Sequence, residues 1–369
     1  MIYADNAATT KLDKDAFNIM CRFLTESFGN PSQPYTFSYN AKKALEEARE
    51  KIACCIGAEP QEIYFTSGGT ESDNWAIKCG AGDSGEIVTS VIEHHAVLNS
   101  CRRMERIGHS VKYLPVSDEG VVRKEDLEKL ITSETRLISV MLANNEIGSI
   151  QPVKKLAQIA HKRGILFHTD AVQAAGHIPV NVRELDVDML SASAHKFNGP
   201  KGIGFLYIRK GTNIEPYLEG GDQEKGFRAG TENVAAIAAM ACALEKNCYT
   251  MAENMDHLKK LENIVVEGLK EKGIDFKRNG SNNRIPGNIS LSFAEAEGEM
   301  LLQRLDLKGI CVSTGSACDG MNTQISHVIK AIDVPEDYAE GTIRISFGKE
   351  NTEEEAESIV HALTDVLGK

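Results

Sequence analysis

Apolar and polar positions follow two rhythms along this chain. Short apolar runs predict buried strands at Glu62-Ile63-Tyr64-Phe65-Thr66, Glu86-Ile87-Val88-Thr89 and Leu137-Ile138-Ser139-Val140-Met141. Two more stand at Ile165-Leu166-Phe167-His168-Thr169 and Gly204-Phe205-Leu206-Tyr207-Ile208. Between them, apolar residues recur every three or four positions over 39–56, 96–107, 124–131 and 153–163, which predicts amphipathic helices. Strand and helix in alternation argue for an α/β layered unit with a mostly parallel sheet, in which ligands bind outside the carboxyl ends of the strands. After about residue 250 the rhythm changes: a long helical pattern over 255–272, strand patterns over 288–293 and 342–347, and a last helical pattern over 352–367. That stretch predicts a smaller α+β unit. No internal repeat or low-complexity tract interrupts either part.

Composition narrows the classes of function. The chain has 369 residues, with 41 Lys and Arg against 53 Asp and Glu, a net charge of −12. An acidic protein is a poor non-specific ligand for nucleic acid or anionic lipid. No apolar run approaches a membrane span. Nine cysteines stand at 21, 54, 55, 79, 101, 242, 248, 311 and 318, an odd number without a C-x-x-C pair. Neither a disulfide framework nor a zinc ribbon is indicated. With no basic-then-apolar segment at the start, the expectation is a cytoplasmic protein.

Three constellations point to chemistry. Thr66-Ser67-Gly68-Gly69-Thr70-Glu71-Ser72-Asp73-Asn74 follows a strand and opens a helix. It reads either as a phosphate cradle or as a tight turn whose Thr70 or Ser72 caps the helix. Asp170, ending a strand in Phe167-His168-Thr169-Asp170, reads as a ligand carboxylate or as a helix cap. Lys196 stands among Ser193, Ala194, His195 and a Gly/Pro turn, Gly199-Pro200. It reads as a desolvated amine fit for an imine, or as a solvated loop lysine. Together they are the parts pyridoxal phosphate requires: a phosphate anchor, an acid for the pyridine nitrogen and an amine for the aldehyde.

At this point the sequence resembles the NifS/IscS-like cysteine desulfurases, fold type I pyridoxal-phosphate enzymes of the class V aminotransferase group. The resemblance spans nearly the whole chain and rests on Asp5-Asn6-Ala7-Ala8-Thr9-Thr10, Phe28-Gly29-Asn30-Pro31, the segment 66–74, Glu93-His94-His95-Ala96-Val97 and Asn144-Asn145-Glu146-Ile147-Gly148. It continues through 170–173, His195-Lys196, Arg228-Ala229-Gly230-Thr231 and Ser313-Thr314-Gly315-Ser316-Ala317-Cys318. It implies a large cofactor-binding domain over 15–252, and a small domain, 1–14 with 253–369, carrying the cysteine loop. It implies pyridoxal 5'-phosphate held at the aldehyde by Lys196, at the pyridine N–H by Asp170 and at the phenolic oxygen by Gln173. His94 would stack on the ring and shuttle a proton, with Asn145 near the same oxygen and the substrate. Gly69, Thr70, Ser193 and His195 would hold the phosphate, with Thr231 arriving from the partner of a homodimer. Arg344 would clamp the substrate carboxylate; without the resemblance it reads as an exposed strand arginine.

Cys318 separates a desulfurase from other pyridoxal enzymes. Glycines on both sides predict a movable exposed loop, whereas Cys54, Cys79, Cys101 and Cys242 sit among apolar helical neighbours and read as buried structural residues. In the implied reaction Lys196 takes the α-proton of L-cysteine. The Cys318 thiolate then attacks the substrate sulfur, leaving L-alanine and a persulfide on Cys318. His94 or a nearby cation would help ionise Cys318, and Asp319 beside it would oppose this. The sulfur would pass to a protein acceptor, in iron–sulfur cluster assembly, tRNA thiolation or another sulfur pathway, with Cys318 near a transferred cluster in the first case. No metal, direct nucleic-acid contact or membrane is expected. Several positions depart from the family pattern: Gln33-Pro34-Tyr35, Asp222, Lys225, Asn198 and Asp319-Gly320. They bear on the site rim and the loop rather than the cofactor core.

Overall fold

The computed structural model describes residues 1–314 and 325–368. Its strands are β1 (Ile2–Tyr3), β2 (Ile63–Thr66), β3 (Glu86–Ser90), β4 (Val111–Leu114), β5 (Thr135–Ser139) and β6 (Leu166–Asp170). They continue with β7 (Met189–Ser193), β8 (Gly204–Ile208), β9 (Phe276–Arg278), β10 (Asn288–Phe293), β11 (Ile310–Cys311) and β12 (Thr342–Ser346). A seven-stranded sheet runs in the order β2-β8-β7-β6-β5-β3-β4, and β8 alone is antiparallel to its neighbours. The α/β, mostly parallel expectation holds. Phe167, Ile87, Ile138 and Leu190 are fully buried, as strands covered by helices on both faces require.

Two strands of the large sheet carry no clear strand pattern, for physical reasons. β4 is a sheet edge with a half-exposed Val-Lys-Tyr run, so its apolar signal is weak. β7 is Met-Leu-Ser-Ala-Ser, without a β-branched or aromatic residue, and only its central place in the sheet makes it a strand. Helices Lys14–Thr25 and Val234–Tyr249 were likewise not read. The first is capped by Asp13, whose Oδ1 accepts from the Asp15 and Ala16 N–H groups. The second is so alanine-rich that it lacks a polar face to set a period.

A second sheet, β12-β10-β9, is antiparallel, and β1 pairs with β11. Its apolar core joins Ala4 to residues between Leu258 and Leu363, apart from the core under the large sheet. Helix Glu353–Val366 closes this part, started by a Thr352/Glu355 capping box. The segment Asp5–Thr10 ties the two parts together. Asn6 N–H and Ala7 N–H donate to Ser346 O and Ser346 Oγ, and Thr10 N–H donates to His195 O at 2.9 Å.

Candidate active site

The carboxyl ends of β2, β6 and β7 open onto one cavity of about 550 Å³. β2 runs into Ser67-Gly68 and then helix Gly69–Gly80, whose first turn has no side-chain cap. The alternative in which Thr70 or Ser72 caps this helix is therefore corrected: Ser72 Oγ turns inward to Thr66 Oγ1 at 2.8 Å, and the helix end faces the cavity. The cradle is tight by construction. A Cβ on Gly69 would stand 2.6 Å from Val172 Cγ2, and one on Gly204, behind the loop, 2.8 Å from Gly68 Cα. Free N–H groups at a helix start, pressed against Ser193 and Val172, suit a phosphate.

β6 ends in Asp170, buried, with Oδ1 accepting from Val172 N–H at 2.8 Å. It thus makes the cap-like turn read as one alternative and also lines the cavity. Burial pushes its pKa up to about 6, against the pull of the Val172 N–H and of Lys196. The carboxylate is consequently short of positive charge, which a pyridine N–H would supply. Behind it, His168 hydrogen-bonds Ser139 Oγ through Nδ1 and Ser191 Oγ through Nε2, each at 2.9 Å, and burial lowers its pKa to about 3. Asp73 sits 3.7 Å from His168 Nε2 and is held well above the carboxylate range by burial and by Asp170.

β7 ends in Ser193, and a 3₁₀ turn, Ala194–Lys196, follows. Lys196 is no solvated loop lysine: Nζ donates to Ala7 O at 2.6 Å and to Ala8 O at 2.9 Å. His94 caps helix His95–Arg106, its Nδ1 accepting from Ala96 N–H at 3.1 Å. Burial, then Lys196, His95 and His327, lower His94 to about 4, so the ring is neutral with its hydrogen on Nε2. His195, beside Thr9 Oγ1 at 3.2 Å, is lowered by burial and by Lys196 to about 4. Gln173 Nε2 donates to Ala7 O at 2.8 Å, which leaves its second N–H for another acceptor. Arg344, on β12, is buried rather than exposed, with Nη2 on Asp5 Oδ1 at 2.7 Å and Nη1 on Asn145 O at 3.1 Å.

One cavity therefore gathers Gly69, Thr70, His94, Asn145, Asp170, Gln173, Ser193, His195, Lys196 and Arg344. Thr231 is exposed and does not line it. Cys318 lies outside the described residues, as do Asp319 and Gly320. The sequence reading assigned no role to Asp5, which aligns Arg344, or to the Ala7 and Ala8 carbonyls, which hold Lys196; only the crossing of Asp5–Thr10 between the two parts brings them here. Of the cysteines read as buried, Cys101 is so, Cys79 and Cys242 are half-buried, and Cys54 is exposed. The site's size, its anion-binding helix end, its charge-poor carboxylate and its lysine all fit pyridoxal phosphate with an amino acid.

Comparisons with known proteins agree. The model of the aminotransferase class-V family matches residues 2–359. Cysteine desulfurase IscS of Dictyoglomus turgidum is 50% identical over 373 residues, covering 100% of this chain and 95% of that protein. The solved structure of a NifS-like protein superposes with a TM-score of 0.93 at 41% identity, over 99% of both chains. A structure described as SspA in complex with cysteine gives a TM-score of 0.84 at 34% identity, over 95% of this chain and 100% of that one.

Proposed function

This chain belongs to the aminotransferase class-V family, among its cysteine desulfurases, and from that premise we propose how its residues divide the work. The reaction removes sulfur from L-cysteine, yields L-alanine and a persulfide, and uses pyridoxal 5'-phosphate. When bound, that cofactor supplies an electron sink that makes the substrate's α-proton removable and loosens its carbon–sulfur bond.

Lys196 holds the cofactor aldehyde and moves the α-proton at Nζ, whose position the Ala7 and Ala8 carbonyls set. Asp170 would keep the pyridine nitrogen of the bound cofactor protonated, and Gln173 would bond its phenolic oxygen. His94, a neutral imidazole, would stand against the ring of the bound cofactor, able to relay a proton from Nε2. The helix start at Gly69 and Thr70, with Ser193 and His195, binds the phosphate. Arg344, aligned by Asp5, binds the substrate carboxylate, and Asn145 orients the substrate beside it. Cys318 attacks the substrate sulfur and carries the persulfide. The observation that supports this reading most is the convergence of Lys196, Asp170, His94 and Arg344 on one cavity from two separately cored parts of the chain. We divide these parts at 15–252 and at 1–14 with 253–369.

The working unit in this reading is a homodimer in which Thr231 reaches the neighbouring phosphate site. Its support is an exposed apolar stretch, Phe17, Leu24, Phe28, Tyr35, Phe37 and Tyr39, and the exposure of Thr231 away from its own cavity. The sulfur passes to a protein acceptor, in iron–sulfur cluster assembly, tRNA thiolation or another sulfur pathway. No helix among the described residues is long and apolar enough to cross a membrane. A cytoplasmic, reducing setting accords with eight free thiols among those residues. The test is to give the holoenzyme L-cysteine and measure alanine together with the mass of the Cys318 peptide. Equimolar alanine and persulfide are expected; a Cys318→Ser variant that forms persulfide at the normal rate would refute the assignment.

A further inference from the structure

Two thiols outside the active site stand at matching ends of two packed helices. Cys55 stands in the last turn of helix Tyr39–Ile56 and Cys248 in the last turn of helix Val234–Tyr249. Both are free and half-buried, and both pack against the core under the large sheet. The helices approach closely because alanines face the packing: Ala41 and Ala44, in the first two turns of one helix, cluster with Val234 at the start of the other. Register is marked one turn before the cysteines, where Lys51 Nζ meets Glu245 Oε2 at 2.7 Å. Positions thus advance together along both helices, from Ala44 with Val234, through Lys51 with Glu245, to Cys55 with Cys248.

The pair is polarised. The neighbouring Cys248, then burial, hold Cys55 as a thiol, while the neighbouring Cys55 holds Cys248 below the ordinary thiol range. Cys248 is the readier thiolate.

We propose that Cys55 and Cys248 form a redox-active dithiol, a modification site that closes to a disulfide on meeting a low-molecular-weight disulfide and reopens with thiol. Cys248 attacks one sulfur of the reagent, forms a mixed disulfide and releases one thiolate. Cys55 then gives up its proton and attacks the Cys248 sulfur, forming the Cys55–Cys248 bond and expelling the second thiolate. The protein pair loses two electrons and two protons, and the reagent gains them as two thiols. The closed bond ties together two helices, one of which supports the active-site turn: Asn247 Nδ2, next to Cys248, donates to Phe197 O at 2.7 Å, directly after Lys196.

The test uses reduced holoenzyme treated with oxidised glutathione, alkylated and digested without reductant. A linked peptide pair joining Cys55 to Cys248 is expected, lost on adding thiol and absent from both Cys248→Ser and Cys55→Ser. The melting temperature is expected to rise on oxidation of the wild type and to stay unchanged in either variant, with cofactor absorbance retained as the check on folding. Glutathione adducts on the two cysteines without the cross-link, a Cys54–Cys55 bond instead, or both thiols still reduced when other cysteines have reacted would each overturn the proposal.

Discussion

At the carboxyl ends of β6 and β7 stand Asp170, Asp73, His94 and Lys196; at the opposite ends of the same two strands stand Asp188, Asp186, His161 and Arg209. At the far end nearly every charge has an answer. Asp188 Oδ2 receives Phe167 N–H and His161 Nε2, each at 2.8 Å, and Asp186 takes His161 Nδ1 at 3.1 Å and Arg209 at 2.8 Å. Burial works against the charge of Asp186, yet Arg209 and His161 hold its pKa below the usual value. At the cavity end the balance reverses. Burial raises Asp170 to about 6 and lowers His94 to about 4, and Asp73 Oδ1 has no hydrogen-bond partner among the described residues. Similar residue types thus build a closed network at one end, where they brace strands, and an under-compensated one at the other, where a ligand completes it.

The sharpest way to break that contrast is at the lysine. Lys196→Ala is expected to lower kcat by roughly 10³-fold or more, with loss of the cofactor's lysine-linked absorbance and little change in folding, checked by steady-state rates and spectra. Asp188→Ala should do the reverse. It leaves Phe167 N–H and His161 without their carboxylate, so unfolding free energy should fall by about 2–4 kcal/mol in urea titrations while kcat per folded molecule holds.

Asp170→Asn separates stability from function within one residue. A buried acid whose folded pKa lies above its unfolded value costs stability fully above the folded pKa and not at all below the unfolded one. The cofactor-free variant should therefore be more stable than the parent by about 2–3 kcal/mol at pH 7, an advantage that fades between pH of about 6 and 4. Activity of the loaded variant should nevertheless drop by roughly 10²-fold. A variant less stable than the parent at pH 7 would contradict the charge-poor picture of this end.

The smallest effect belongs to Asp186→Asn. Its folded pKa is depressed, so its contribution is present at neutral pH and is lost as pH falls through the folded value. Because Asp186 is only half-buried and its partners lie near solvent, the change in unfolding free energy should stay under about 1 kcal/mol and shrink further in high salt.

Much of this architecture could be read before any coordinates. Helix 39–56 and strands 204–208 and 288–293 match their patterns residue for residue, because each carries a strong period ended by a glycine or a turn. Lys196, Asp170 and the glycines at 68–69 were legible as chemistry because small or strand-ending surroundings mark them out. β7 and helix Val234–Tyr249 were not, since serine and alanine carry little preference and take their state from their neighbours.

The types of group present and their order are written in the chain: a lysine, an acid, a glycine turn before a helix, a histidine and an arginine, each on or near a strand. They are legible there because local geometry ends strands and starts helices within a few residues of these positions. Tertiary structure alone decided which of them meet, since contacts such as Asp5 with Arg344 or Ala7 with Lys196 join residues far apart in the chain. It also decided their charge states, because desolvation depends on what all the other elements place around a side chain. The same logic set Cys55 against Cys248: neither helix carries a signal for the other, and only their packing brings the sulfurs together.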